Sequence, residues 1–255
     1  MAYTKIKVEA TAPVARITLA NRSQNVIDVP MMEELRAALT DLEKRADVSA
    51  IVFSGSDKAF SAGVDIAAHT PDKVRGMLEK FHAVVRAMVA SQKVLVAEVK
   101  GNCLGGGAEL AVVCDVVITA ADAQWGFPEI TLACFPPVAA VALPVLVGQK
   151  RAAELVLTGK TISGAEAERI GLANVVCGAR QVEARSRELT SRLSELSPAA
   201  LALTKKALYA WDAVHFEKGL ARAEKIYLED LAKTADCQEG IAAWMEKRKP
   251  KWSSR

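Results

Sequence analysis

The stretch that decides the fold is residues 94–119, VLVAEVKGNCLGGGAELAVVCDVVIT. It opens with an apolar run rich in β-branched residues (94–99) and closes with a second such run (115–119). Short apolar runs of this kind predict buried strands. The segment between them, Gly105 to Val113, starts with three glycines and continues as an apolar helix. A helix between two buried strands predicts a β-α-β unit, whose strands pair in parallel.

The flanking sequence repeats this alternation toward the N-terminus. Residues 14–19 and 50–53 have strand character, and Met31 to Arg45 places apolar residues at three- and four-residue steps, as an amphipathic helix does. A second helix is predicted from Asp72 to Ala90. The pattern predicts an α/β core.

The last part of the chain changes character. From Arg180 onward almost every segment has a helical pattern, interrupted chiefly at Pro198 and Gly219. We therefore predict a catalytic core over residues 1–195 and a C-terminal helical region over residues 196–255.

The composition is that of an ordinary globular protein. Of 255 residues, 51% are hydrophobic and 25% are charged, which excludes a disordered chain. The five cysteines are odd in number and form no CxxC pair, which argues against a disulfide scaffold and against a zinc or iron–sulfur site. This cysteine usage is typical of the reducing cytoplasm, where we expect the protein, and we expect no metal.

One uncharged stretch, Ile130 to Gln149, is long enough to raise the question of a membrane span. Pro136 and Pro137 would break a spanning helix early, and Pro144 interrupts the stretch again. We interpret it as buried core and expect no membrane partner.

A first candidate segment for chemistry is Ala59 to Ile66, AFSAGVDI. Small residues around Gly63 let a ligand approach the backbone, and the Val64 N–H could point at it. The alternative is a tight connection between a strand and a helix.

A second candidate segment is Gly101 to Leu110, GNCLGGGAEL. Glycines before a helix expose N–H groups at the positive end of the helix dipole, which suits an oxyanion or a phosphate. The spacing matches neither the dinucleotide motif nor the P-loop. Glu109, in the first turn, could also serve only to complement the dipole.

A third segment, WGFPEI, places Glu129 beside a proline in apolar surroundings. This carboxyl group is either a solvated turn residue or a desolvated acid or base with a raised pKa. Two backbone donor sites followed by two carboxyl groups could polarise a carbonyl group and move protons near its α and β carbons.

Taken together, these motifs resemble the crotonase (enoyl-CoA hydratase/isomerase) superfamily over almost the whole chain. The similarity extends to residues 157–174 and to the C-terminal DCQEG segment. It implies a spiral of ββα units with a C-terminal helical oligomerisation region. It also implies an acyl thioester of coenzyme A as substrate and no cofactor besides the CoA that the substrate carries.

The resemblance assigns roles to four residues. The backbone N–H groups of Val64 and Gly106 would hold the thioester oxygen. Glu109 would activate the water that attacks the unsaturated acyl chain, and Glu129 would deliver the proton to carbon. Because many isomerases keep only one of the two acids, the pair favours a hydratase, that is, a hydro-lyase.

The chain departs from the hydratase pattern after Glu129. Pro137 stands where typical hydratases have a glycine whose N–H helps orient the water, and proline has no N–H. A neutral interpretation is that another donor replaces it. The stretch 135–139, FPPVA, resembles hydratases that act on cyclic dienoyl-CoA thioesters in anaerobic aromatic degradation. Phe135 and Pro137 would then shape the pocket.

The resemblance further implies contacts with CoA or substrate. It assigns them to the first segment and to the last helix, at Ser61, Ala62, Asp65, Ile66, Trp244 and Lys247. Trp244 and Lys247 would come from a neighbouring subunit, which implies a trimer or a dimer of trimers. The alternative is a packed tryptophan and a solvated lysine.

The three histidines match no catalytic position of the family. We expect His69, His82 and His215 to lie at the surface or in loops, although His69 could line the pocket.

Other functions remain open at this point. Within the fold they are a linear-chain enoyl-CoA hydratase or an isomerase of fatty-acid β-oxidation. From another class they are a non-catalytic CoA- or RNA-binding relative.

The net charge of +3 is concentrated in the last ten residues, which hold five basic side chains and one acidic one. A local excess of positive charge suits the phosphates of CoA. Because the charge is not spread over the surface, it argues against a nucleic-acid partner.

Overall fold

The fold was analysed in a computed structural model that describes residues 3–209 and 212–253, with residues 212–214 described by their backbone. Most of the predicted elements are present, within a few residues of their expected bounds. The strands are β1 (Ile6–Thr11), β2 (Val14–Leu19), β3 (Ala50–Ser54), β4 (Ala59–Ser61), β5 (Val94–Val99), β6 (Asn102–Leu104), β7 (Val116–Ala120), β8 (Gln124–Gly126), β9 (Thr161–Ser163) and β10 (Val175–Cys177). The helices are α1 (Val29–Glu43), α2 (Val74–Ala90), α3 (Gly106–Val112), α4 (Pro137–Leu146), α5 (Gln149–Thr158), α6 (Gly164–Arg169), α7 (Val182–Ser194), α8 (Pro198–Tyr209), α9 (Asp212–Lys225) and α10 (Ala235–Met245).

Two sheets organise the described part of the chain. The larger has the strand order β1-β2-β3-β5-β7-β10, with β1 antiparallel to β2 and the remaining neighbours parallel. The smaller has the order β4-β6-β8-β9, in which β4, β6 and β8 run parallel and β9 runs antiparallel. The α/β class predicted from the sequence is confirmed.

The chain alternates between the two sheets in a repeated ββα order. In each unit the first strand joins the larger sheet and the second joins the smaller one: β3-β4-α2, β5-β6-α3 and β7-β8-α4. This is the spiral of ββα units that the resemblance implied. Because successive units are stacked, the loop after β4, the start of α3 and the segment after β8 meet at one place.

Local signals explain why the first helix begins where it does. Asp28 caps α1 by accepting the Met31 N–H at 3.0 Å, and Pro30 occupies the first turn. The apolar stripe of α1, including Leu35 and Leu39, is buried against the core. The periodicity of the sequence therefore predicts the buried face correctly.

The uncharged stretch 130–149 is only partly buried, which corrects the expectation of a fully buried segment. Val138 and Leu143 in α4 are fully enclosed, whereas Val145 and Leu146 at its C-terminal end are exposed. Among the described residues, no helix is both long and apolar enough to cross a membrane.

The C-terminal helices pack onto the core. Lys205 of α8 is buried and pairs with Asp115 at 2.7 Å, next to the start of β7. Helix α9 packs on α4, and α10 packs on the 3₁₀ turn Pro128–Leu132. This last contact places α10 beside Glu129.

Candidate active site

One cavity of about 250 Å³ contains the residues that the sequence motifs single out. It lies where the loop after β4, the start of α3 and the turn Pro128–Leu132 meet α2 and α10. Its lining includes Val64, Gly106, Glu109 and Glu129, together with Phe135 and Pro137. The fold thus brings together the two backbone donors, the two carboxyl groups and the two pocket-shaping residues predicted from the sequence.

The N–H groups of Val64 and Gly106 lie close together and have no acceptor among the described residues. Next to Val64, the Gly63 carbonyl accepts the Ile27 N–H at 2.9 Å and the Asp65 N–H donates to the Ile27 carbonyl at 3.0 Å. These bonds hold the loop and leave the Val64 N–H unused. A methyl group on Gly106 would lie 3.4 Å from the Val64 nitrogen, so the two N–H groups can converge on one oxygen.

Glu109 is buried in the first turn of α3, with only 3% of its surface exposed. Its Oε1 accepts the N–H groups of Val138 and Ala139 at 2.8 and 3.0 Å. Burial raises the pKa of Glu109, and these two hydrogen bonds, with the nearby His82, oppose the rise. The carboxylate form is therefore stabilised at one oxygen, and the other oxygen can act as a base.

Glu129 lies in a different environment. Its Oε1 lies close against the backbone of Gly105, where an added methyl group would come within 2.6 Å of it. Its Oε2 is buried and has no hydrogen-bond partner within the protein. Burial and, next, the negative charge of Glu109 raise the pKa of Glu129 well above its usual range. The neutral acid is therefore favoured, and it can donate a proton.

Pro137 occupies the first turn of α4, and the two residues after it supply N–H groups to Glu109. The helix start therefore still provides donors, although Pro137 has none. Phe135 packs against Tyr227, with ring centroids 5.3 Å apart. Together they form an apolar wall next to the two glutamates.

Comparison with known proteins places this geometry in a family. The sequence pattern of enoyl-CoA hydratase/isomerase matches residues 9–255. The chain belongs to this family. It is 33% identical to the cyclohexa-1,5-dienecarbonyl-CoA hydratase of Thauera aromatica, over 98% of this chain and 97% of that protein. It is 36% identical to a probable enoyl-CoA hydratase of Mycobacterium bovis over the full length of both.

A solved structure confirms the crotonase fold. The crystal structure of an enoyl-CoA hydratase from Mycobacterium avium subsp. paratuberculosis K-10 superposes with a TM-score of 0.88 and 26% identity, covering 99% of this chain and all of that one. Membership of the enoyl-CoA hydratase/isomerase family makes the chain an enzyme of the enoyl-CoA hydratase type and implies an acyl-CoA substrate.

Only two of the four residues that were predicted in the first segment to contact CoA or substrate line the cavity. Ala62 and Ile66 line it. Ser61 is fully buried, donates its hydroxyl to the Asn25 carbonyl at 2.7 Å and accepts the Gly63 N–H, so its side chain holds the loop. Asp65 caps the turn Ile66–His69 by accepting the Ala67 N–H at 3.1 Å. The side chains of Ser61 and Asp65 therefore hold the loop, and their contacts with CoA or substrate stay a prediction.

Trp244 lies at the cavity of its own chain, and its contact with CoA bound to a neighbouring subunit stays a prediction. It is half-exposed there, at 51%. Lys247 is exposed beyond the end of α10 and does not line the cavity. In the basic tail, Arg248 pairs with Glu239 and Glu246 of its own chain, while Arg255 lies outside the described residues.

One cavity residue of this family member stands in none of the sequence motifs. His82 was expected at the surface, but it is fully buried in α2 and lines the cavity. His69 also lines the cavity and is partly buried. The signal for His82 was its position next to Phe81 on the apolar face of α2, which predicts burial but not a polar function.

Proposed function

We propose that the protein adds water to an unsaturated acyl-CoA thioester, and that its substrate is a cyclic dienoyl-CoA such as cyclohexa-1,5-diene-1-carbonyl-CoA. The observation that carries the hydration step is the presence of Glu109 and Glu129 in one cavity with the two unpaired N–H groups. The proposal would make this protein part of the anaerobic degradation of aromatic compounds.

In the proposed reaction, the thioester oxygen accepts hydrogen bonds from the N–H groups of Val64 and Gly106. Losing one such donor typically costs about 3–4 kcal/mol of transition-state stabilisation. As the water oxygen bonds to the acyl chain, Glu109 takes one of its protons. The electrons of the broken C=C bond move toward the thioester, and the proton of Glu129 ends on carbon, so the elements of one water are added.

The cyclic substrate is supported by two observations. Phe135, Pro136 and Pro137 line the cavity and carry the resemblance to hydratases of cyclic dienoyl-CoA thioesters. The Thauera aromatica relative is named for such a substrate. The second candidate is a general enoyl-CoA hydratase for linear chains, and the Mycobacterium bovis relative, named a probable enoyl-CoA hydratase, supports a general hydratase.

The experiment that tests the proposal compares three substrates with the purified protein. We expect a higher kcat/KM for hydration of cyclohexa-1,5-diene-1-carbonyl-CoA than for crotonyl-CoA, with products identified by mass spectrometry. Faster turnover of crotonyl-CoA would favour the linear-chain hydratase. Migration of the double bond in a 3-enoyl-CoA without water addition would favour an isomerase, and inactivity toward all three would contradict an acyl-CoA hydratase.

We also propose that residues 1–195 form the catalytic core and that residues 196–255 mediate assembly into a trimer or a dimer of trimers. Exposed apolar side chains in the second region, Leu203 and Leu208 of α8, support an interface there. A cytoplasmic location is supported by the five cysteines, all of which are free thiols.

A further inference from the structure

His82 lines the cavity and has a buried nitrogen without a hydrogen-bond partner. Its side chain is fully buried, at 0% exposure, and lines the same cavity as Glu109 and Glu129. Its Nδ1 lies 2.6 Å from Glu224 Oε1, whereas its Nε2 has no hydrogen-bond partner within the protein. A buried polar atom without a partner is unfavourable, and a water molecule in the cavity that reached Nε2 would satisfy it.

The orientation of the imidazole is fixed by residues from two helices. Glu224 of α9 contacts Nδ1, and Arg86, one turn after His82 in α2, donates to the same Glu224 oxygen at 2.9 Å. Arg86 is held in turn by Glu217. The hydrogen bond with His82 and the neighbouring charge of Arg86 hold the pKa of Glu224 below its usual range. In the ring tautomer that donates from Nδ1 to Glu224, Nε2 is an acceptor.

The hydration reaction needs such an acceptor. A water molecule has two hydrogens, and holding both of them restricts the direction of its attacking lone pair. Glu109 offers one oxygen, since its Oε1 is occupied by the N–H groups of Val138 and Ala139. Glu129 is assigned to donate its proton to carbon, and its Oε1 lies close against the backbone of Gly105. Pro137 supplies no N–H to orient it.

We propose that His82 is an active-site residue whose Nε2 accepts one hydrogen of the reacting water while Glu109 accepts the other. This inference rests on the proposed hydration. The Glu224–His82 pair would hold the attacking lone pair toward the acyl carbon during bond formation, and the transferred proton would still go to Glu109. His82 would contribute to kcat and little to the binding of the CoA thioester.

A pair of variants isolates the Nε2 position. His82→Gln places a polar atom near the position of Nε2, and His82→Met has a similar length without one; both lose the ring contact to Glu224. We expect His82→Met to have a kcat about 10- to 100-fold lower than His82→Gln on the better of crotonyl-CoA and cyclohexa-1,5-diene-1-carbonyl-CoA. Equal kcat values for the two variants would overturn the proposal.

Two further measurements separate this role from a structural one. His82→Asn keeps a polar atom near Nδ1, and we expect it to fold with nearly wild-type thermal stability but to lose kcat. Wild-type kcat in this variant would show that only the Glu224 contact matters and would overturn the proposal. Titration with butyryl-CoA, which has no double bond to hydrate, should give the same Kd for the His82→Met, His82→Gln and wild-type proteins.

The butyryl-CoA result also distinguishes water from the acyl chain as the partner of His82. A Kd that rises in His82→Met in proportion to the fall in kcat would assign His82 to acyl binding and overturn the proposal. Failure of the hydration proposal is recognised separately, because the wild-type protein would then be inactive on both unsaturated substrates.

Discussion

At the scale of single residues, the two active-site carboxyl groups differ because their surroundings differ. Glu109 accepts two N–H groups from the start of α4, which favours its charged form. Glu129 is buried with an unpaired oxygen and close to the charge of Glu109, which favours its neutral form. One base and one acid are therefore available at the same pH, as hydration requires.

Replacing either carboxyl group should reduce turnover strongly. We expect Glu109→Gln and Glu129→Gln each to lower kcat by about 10²- to 10⁴-fold, because each removes a positioned acid or base. Steady-state hydration assays measure this effect. The exposed Glu79 of α2 gives a matched control, and Glu79→Gln should keep wild-type turnover. Near-wild-type kcat in either active-site variant would contradict the role given to that residue.

The pH profile of hydration should be bell-shaped. Turnover requires ionised Glu109 and protonated Glu129, so it should fall at low pH as Glu109 gains a proton and at high pH as Glu129 loses one. Because burial raises the pKa values of both glutamates, the midpoints of both limbs should lie at a higher pH than is usual for carboxyl groups. The measurement is kcat/KM against pH. The residual activity of Glu129→Gln should lack the alkaline limb, and an unchanged limb would assign it to another group.

Active-site residues that stand in short motifs can be predicted from the sequence. Residues that reach the site only because distant parts of the chain pack together cannot. Glu109 and Glu129 stand in motifs with recognisable neighbours, so both could be named in advance. His82 has no such motif, and its partner Glu224 is 142 residues away. The place of Ser61 in a motif suggested ligand binding but not the hydrogen bond that its hydroxyl donates to the Asn25 carbonyl, because Asn25 is 36 residues away in the sequence.

At the scale of elements, long periodic segments are predictable and three-residue strands are not. The buried faces of α1 and α2 follow from apolar residues at helical spacing. The strands of the smaller sheet, β4, β6, β8 and β9, are each three residues long. Such strands contain too few residues to show an alternating pattern, and only pairing with their neighbours defines them.

The contact between α10 and the turn Pro128–Leu132 should depend on Gly240. A methyl group on Gly240 would lie 2.2 Å from the Leu132 carbonyl oxygen, so Gly240→Ala must displace α10. We expect a loss of about 1–3 kcal/mol in the free energy of unfolding, measured by urea denaturation, together with weaker CoA-thioester binding because Trp244 moves with the helix.

The matched control for Gly240→Ala is Gly76→Ala in α2. An added methyl group at Gly76 meets nothing within 4 Å, so this variant should be more stable by up to about 1 kcal/mol, as alanine favours helix. Equal stability changes in the two variants would show that the approach of α10 to Leu132 is not what makes Gly240 necessary.

At the scale of the whole molecule, the C-terminal helices contribute to the cavity as well as to the surface. Tyr227, Ile241 and Trp244 line the cavity, while Leu203 and Leu208 of α8 face outward. Residues on both sides of the proposed division at residue 195 therefore line the active site. One side of the C-terminal region completes the active site, and the other side is available for contacts between copies.

Substitution of the outward side should change assembly without changing the fold. Sedimentation equilibrium should give three or six times the mass of one chain for the wild type. Leu203→Lys combined with Leu208→Lys should shift it toward a single chain, because charges in an apolar interface oppose association. Leu157→Lys, equally exposed but outside residues 196–255, should keep the wild-type mass. If Leu157→Lys dissociates the assembly and the α8 variant does not, the interface lies on the catalytic core instead.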